Sequence, residues 1–190
     1  MKKSSQPSTD NSRTVLGIDP GTLVTGYGIV TRRGTELRLL TCGTITNRSD
    51  IPMPLRLQRI YKELQALLQK HSPHEVAIES AFYGKNVQSA LKLGHARGVS
   101  LLAAVEENIP TAEYSPREVK QAVVGKGNAS KEQVRFMVRA ILAAPSRAMP
   151  LDASDALAVA ICHCHRSATP RKHHKDWKAF IEAYPERIRA

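Results

Sequence analysis

At 190 residues, 42% of them apolar and 24% charged, the chain has the length and composition of one globular domain with a single sizeable core, and no apolar run approaches the roughly 18 residues of a membrane-spanning helix. The polar run SSQPSTDNS after Lys2 and Lys3 argues against a secretory signal, and three cysteines (Cys42, Cys162, Cys164) cannot all pair, so a reducing cytoplasm is the expected location. Twenty-eight Lys and Arg against seventeen Asp and Glu leave a net charge of +11, of which residues 14–166 hold +6, so a polyanionic partner is expected beyond any effect of basic tails.

Residues 1–13 are polar and aperiodic and are expected to form a disordered arm. An apolar strand follows at 15–18 and runs into Asp19-Pro20-Gly21, where Pro20 holds Asp19 extended and Gly21 permits a tight turn. A second strand at 26–31, a turn at Arg33-Gly34 and a third strand at 37–46 complete an antiparallel meander. Over 55–68 the pattern changes to helical spacing, with Leu57, Ile60, Tyr61, Leu64 and Leu68 on one face. A short strand at 75–79 precedes a long helix at 87–107, in which Gly94, Ala96 and Gly98 lower helix propensity and imply close packing against another element. A last strand at 111–114 leads to helices at 116–123, 131–142 and 152–163, and residues 167–190 form a basic extension without core periodicity. Three strands in series followed by alternating helices and strands predict an α/β fold, a mixed five-stranded sheet with helices on both faces. That order is the ribonuclease H-like arrangement.

Four carboxylates stand out by position. Asp19 ends the first strand and Glu79 the fourth, while Asp152 and Asp155 lie three apart at the start of the last helix and share a face. Each also has an ordinary structural role: Asp152 as a helix N-cap, Asp155 as a first-turn charge, Asp19 as a turn organiser. If the first and fourth strands are central neighbours and the last helix crosses their ends, all four converge. Converging carboxylates repel unless a cation neutralises them. Hard oxygen donors suit Mg²⁺ or Mn²⁺, and two such ions can activate a water and stabilise the leaving oxygen of a phosphodiester.

The strings LGIDPGTLVTGYGIV (16–30), AIESAFYGKNVQSALKLGHARGV (77–99), YSPREVKQAVVGKGNASKEQV (114–134) and DASDALAVAICHCH (152–165) resemble the RuvC family of Holliday-junction resolvases. The resemblance spans residues 14–166, the expected nuclease domain. It implies a ribonuclease H-like homodimer that uses Mg²⁺ or Mn²⁺, two ions per site, to place paired nicks in a four-way DNA junction during recombination and repair. It also implies the RuvA–RuvB branch-migration complex as a partner. By motif, Asp19, Glu79, Asp152 and Asp155 match the catalytic, metal-holding acids. Phe82 matches an aromatic that stacks on unpaired bases, and Lys120 and Lys131 match lysines that contact DNA phosphate. Without the resemblance, Phe82 reads as an ordinary core residue, although its neighbours Tyr83, Gly84, Lys85 and Asn86 look like an exposed loop, and the two lysines read as solvated helix charges.

Two features depart from the family pattern: Ser80 stands where some relatives carry glutamine, and residues 167–190 match nothing in it. LGIDPGT also resembles the first phosphate loop of sugar kinases and actin-like ATPases, but those need a second lobe that 190 residues with one such motif do not supply. The four acids alone would equally suit a generic ribonuclease H, and the basic charge alone a non-catalytic junction-binding module. Cys162-His163-Cys164-His165 alternate along a helix, so their side chains diverge and cannot close a four-ligand zinc site locally. The long helix around 91–102, with Gly94 and Gly98, is the expected dimer interface.

Overall fold

The computed structural model describes residues 12–80, 87–144 and 149–167. Strands β1 (Ser12–Asp19), β2 (Val24–Arg33) and β3 (Glu36–Thr46) form the antiparallel meander, followed by α1 (Met53–His71), β4 (Glu75–Glu79), α2 (Val87–Glu106), β5 (Thr111–Tyr114), α3 (Pro116–Val124), α4 (Lys131–Leu142) and α5 (Leu151–Ser167). The five strands lie in the order β3-β2-β1-β4-β5, with β1 parallel to β4 and β4 parallel to β5. The expected mixed sheet is therefore present, and β1 is its central strand.

Strand side chains alternate between faces, and the two cores record that alternation. On one face Leu16, Ile18, Val76 and Ile78 pack with Ile60 and Leu64 of α1 and with Ala96, Ala103 and Ala104 of α2. On the other, Val15 and Ala77 pack with α3, α4 and α5. Helix α5 is almost wholly buried from Ala153 to Cys164, so it forms the spine of the second layer.

Several boundaries differ from expectation. The first strand begins at Ser12, so Ser12 and Arg13 belong to the sheet and not to a disordered arm. Arg13 pairs with Arg32 in the ladder, and its Nη1 meets Glu75 Oε1 at 2.5 Å, which ties the strand start to β4. Helix α5 begins at Leu151, with the Ser154 amide bonded to the Pro150 carbonyl. Asp152 thus sits inside the first turn and is not the N-cap. In α2 only Ala96 meets the packing expected of the small residues, since a Cβ at Gly94 or Gly98 would lie in open space. Residues 1–11, residues 81–86 with the predicted Phe82, and residues 145–148 and 168–190 lie outside the described residues. Among those described, no helix is long and apolar enough to cross a membrane.

Candidate active site

The register of the central strands sets the first two acids. Ile18 lies opposite Ile78 in the parallel β1–β4 ladder, so Asp19 and Glu79, one step on, end the two strands side by side. Their parity matches Val15, Gly17 and Ala77, which places both on the α5 face. Helix α5 arrives on that face at very short range. An added Cβ at Gly17 would lie 2.1 Å from the Ala156 carbonyl oxygen, and one at Gly26 would lie 2.0 Å from that of Asp152. The missing side chains let the helix backbone rest on β1 and β2, and its first turn carries Asp152 and Asp155 over the strand ends.

Three of the four acids meet in one cleft, and the fourth lies beside it. Asp19, Glu79 and Asp155 line one cleft of about 300 Å³ together with Lys120 and Lys131. Asp152 opens into an adjoining cleft of about 230 Å³ that Asp155 and Lys131 also line. Asp152 still acts on the first cleft through its charge. Burial, then Glu79, Asp155 and Asp152, push the Asp19 carboxyl up to about 8. A hydrogen bond between the two carboxyls raises Asp19 and lowers Glu79, so a proton shared by the pair favours Asp19. Glu79 is raised too, mainly by burial and also by Asp155, while the hydrogen bond from Asp19 and the charges of Lys131 and Lys120 oppose the rise.

The two lysines are aimed by helix starts. Lys131 opens α4 directly after Ser130, which forms a reciprocal capping box with Gln133. Lys120 lies on α3, capped the same way by Ser115 and Glu118. Lys131 Nζ stands 3.2 Å from Asp155 Oδ2, and that carboxylate raises the lysine's pKa.

Four carboxylates offer only hard oxygen donors, the set that Mg²⁺ and Mn²⁺ prefer. Among the described residues no three His, Cys, Asp or Glu side chains stand grouped ready for a metal. The repulsion favours the protonated form of Asp19, and the Lys131 ammonium lies against Asp155. A divalent cation relieves the same repulsion more fully, so the donor set fits such ions.

The Cys-His-Cys-His run disperses to separate partners. His163 is buried, with Nδ1 2.8 Å from the Tyr114 hydroxyl and Nε2 on the Glu75 carboxylate. Cys162 Sγ meets the Glu118 carbonyl at 3.7 Å, and His165 Nδ1 lies 3.2 Å from the Ala122 carbonyl. Sequence reasoning missed this buried network and the two capping boxes. The boxes were readable as Ser-x-x-Glu at 115–118 and Ser-x-x-Gln at 130–133. The network was not, because its members are far apart in the chain.

Comparison with known proteins places the chain in a family. Residues 15–163 match the family model described as crossover junction endodeoxyribonuclease RuvC. The protein of that name from Pelotomaculum thermopropionicum is 48% identical over 158 residues, covering 83% of this chain and 96% of its own. The structure of T. thermophilus RuvC in complex with Holliday junction substrate superposes with a TM-score of 0.78 at 36% identity, covering 82% of this chain and 95% of that one. The yeast mitochondrial Holliday junction resolvase Ydc2, at 15% identity and a TM-score of 0.57 over 90% of this chain and 83% of that one, shares the fold. A match over most of the chain at this identity makes the chain a member of the RuvC family of crossover junction endodeoxyribonucleases.

Proposed function

We propose that this chain is an endonuclease that cuts four-way DNA junctions in recombination and repair, with Asp19, Glu79, Asp152 and Asp155 holding Mg²⁺ or Mn²⁺, two ions per site. One observation carries the site assignment: three acids and two lysines open into a single cleft at the ends of the central strands. Held by these four acids, such ions would supply a water nucleophile at neutral pH and neutralise charge on the leaving oxygen. The chain's own residues do the rest. Asp19 and Glu79 are fixed by the β1–β4 register, which makes them the rigid half of the site. Asp152 and Asp155 ride on the buried α5, so the two halves keep a constant separation. Lys120 and Lys131 place positive charge at the rim, where the phosphate enters. Phe82, outside the described residues, is assigned the stacking role on bases at the crossover.

A four-way junction has approximate two-fold symmetry, so two such sites in a C₂ dimer reach opposed strands. The outward face of α2 supports that assembly: Val87, Leu91, Leu102 and Val105 are exposed at helical spacing, and Gly94 and Gly98 lie among them over open space. The RuvA–RuvB complex is the assigned partner on the junction, and the cytoplasm the assigned location.

Incubation of the protein with labelled junctions and matched duplex, in Mg²⁺ or EDTA, tests the reading. Nicks confined to junctions and abolished by EDTA are expected. Equal cutting of duplex, or cutting in EDTA, contradicts it.

A further inference from the structure

A further cleft, of about 690 Å³, adjoins the acid cleft and is lined by Pro116, Arg117, Lys120, Gly127 and Asn128. It shares Pro116 and Lys120 with the acid cleft, so the two are continuous along α3. Its charge is one-sided. Arg117 is exposed and makes no ion pair among the described residues. The nearby acids are engaged elsewhere: Glu118 accepts from Ser115 at 2.9 Å and from Arg166 at 2.6 Å, and Glu113 is held by Arg97.

The α3–α4 loop is shaped around Arg117. A Cβ at Gly127 would lie 2.8 Å from Arg117 Cγ and 3.3 Å from its Nε, so the arginine stem lies across a residue that has no side chain to displace it. The loop is braced by Gly125 in the left-handed conformation (φ 82°), by Gln121 Nε2 donating to the Gly125 carbonyl at 2.8 Å, and by the Ala129 amide donating to Lys126 at 3.2 Å.

We infer that this groove carries the DNA strand away from the cleaved phosphate, with Arg117 as a positioning residue that holds a flanking phosphate. The inference rests on the proposed junction cleavage. Arg117 and Lys120 are three apart on one helix, which sets their Cβ atoms about 5–6 Å apart, a spacing that suits neighbouring phosphates of one strand. The guanidinium donates a planar pair of N–H bonds to phosphate oxygens, and the Asn128 amide adds a neutral donor at the same rim. Contacts of this kind fix register without reading sequence.

The test measures junction affinity across a salt series in EDTA, and cleavage in Mg²⁺ against protein concentration. The set is wild type, Arg117→Gln, Arg117→Lys and Gly127→Ala. Arg117→Gln is expected to weaken binding to junction and duplex alike by roughly three- to tenfold and to reduce the salt slope by about one. Its defect falls on the concentration needed for half-maximal cutting. Arg117→Lys restores most of the slope, and Gly127→Ala, which displaces the arginine stem, lies between wild type and Arg117→Gln. A salt slope equal to wild type in Arg117→Gln overturns the groove, as does a loss confined to the rate at saturating protein. Wild-type protein that cuts no junction overturns the proposed activity instead, and the salt slope still reports on backbone contact.

Discussion

Asp19 shows how the site couples protonation to folding. Its carboxyl releases a proton at about 3.8 when unfolded but holds it to about 8 in the fold, chiefly through burial and the charge of Glu79. Between those values the folded chain binds more protons than the unfolded one, so this group's contribution to stability falls as pH rises. Metal-free wild type is therefore expected to lose more melting temperature between pH 5 and pH 8 than Asp19→Asn does. Mg²⁺ or Mn²⁺ should return most of that loss at pH 8, because ions that bind only the fold stabilise it. Equal pH profiles for the two proteins, with or without metal, would remove Asp19 from the cluster. The four acids were legible in the sequence because strand ends and an i, i+3 pair fix position by pattern alone. The raised pKa of Asp19 was not, since it depends on burial and on the side-by-side placement that the Ile18–Ile78 register gives Asp19 and Glu79. Lys120 and Lys131 were legible only by resemblance, although the capping serines that aim them stand in plain sequence.

At the scale of elements, the decisive contact is α5 on the sheet. Strand and helix assignments came out of the sequence nearly whole because hydrophobic period changes sharply from two to 3.6 at residue 55. The depth of the helix contact did not, because a glycine in a strand does not by itself reveal which element approaches it. Paired with the α5 backbone, Gly17, Gly26 and Gly28 are the space the helix occupies. Gly26→Ala puts a methyl 2.0 Å from the Asp152 carbonyl oxygen and must lift the first turn of α5. Overpacking of this kind costs roughly 1–3 kcal/mol. The displaced acids should slow cleavage by up to ~10²-fold, since misplacement by an ångström has effects of that order. Denaturant melts and single-turnover rates check both parts. An alanine variant as stable and as fast as wild type would mean that α5 does not set the site. The expectation for α2 failed for the opposite reason: among the described residues, a Cβ at Gly94 or Gly98 would meet nothing within 4 Å, so the small residues do not serve packing against another described element.

At the scale of the molecule, one protomer offers one acid cleft, and a junction cut symmetrically needs two. The exposed face of α2 is the assigned contact, and Leu102→Glu, a charge placed on a half-exposed leucine of that face, should shift the protein to monomer by light scattering. Nicks on opposed strands should then lose their pairing. A Leu102→Glu protein that stays dimeric would move the interface elsewhere.

The most direct test of the central claim compares cutting and binding in the same four variants: Asp19→Asn, Glu79→Gln, Asp152→Asn and Asp155→Asn. Single-turnover cleavage of a mobile junction in Mg²⁺ is measured beside junction affinity in EDTA. Loss of one ligand charge should slow each variant at least ~10²-fold, given the several kcal/mol that metal ions contribute to such transition states. Junction affinity should remain near that of wild type, because Lys and Arg contacts to phosphate supply it. Asp155→Asn also gives up its ion pair with Lys131, but the lysine is 80% exposed and such a pair is worth at most about 1 kcal/mol, so the fold should hold. Any one of the four cutting at the wild-type rate would contradict a shared metal site.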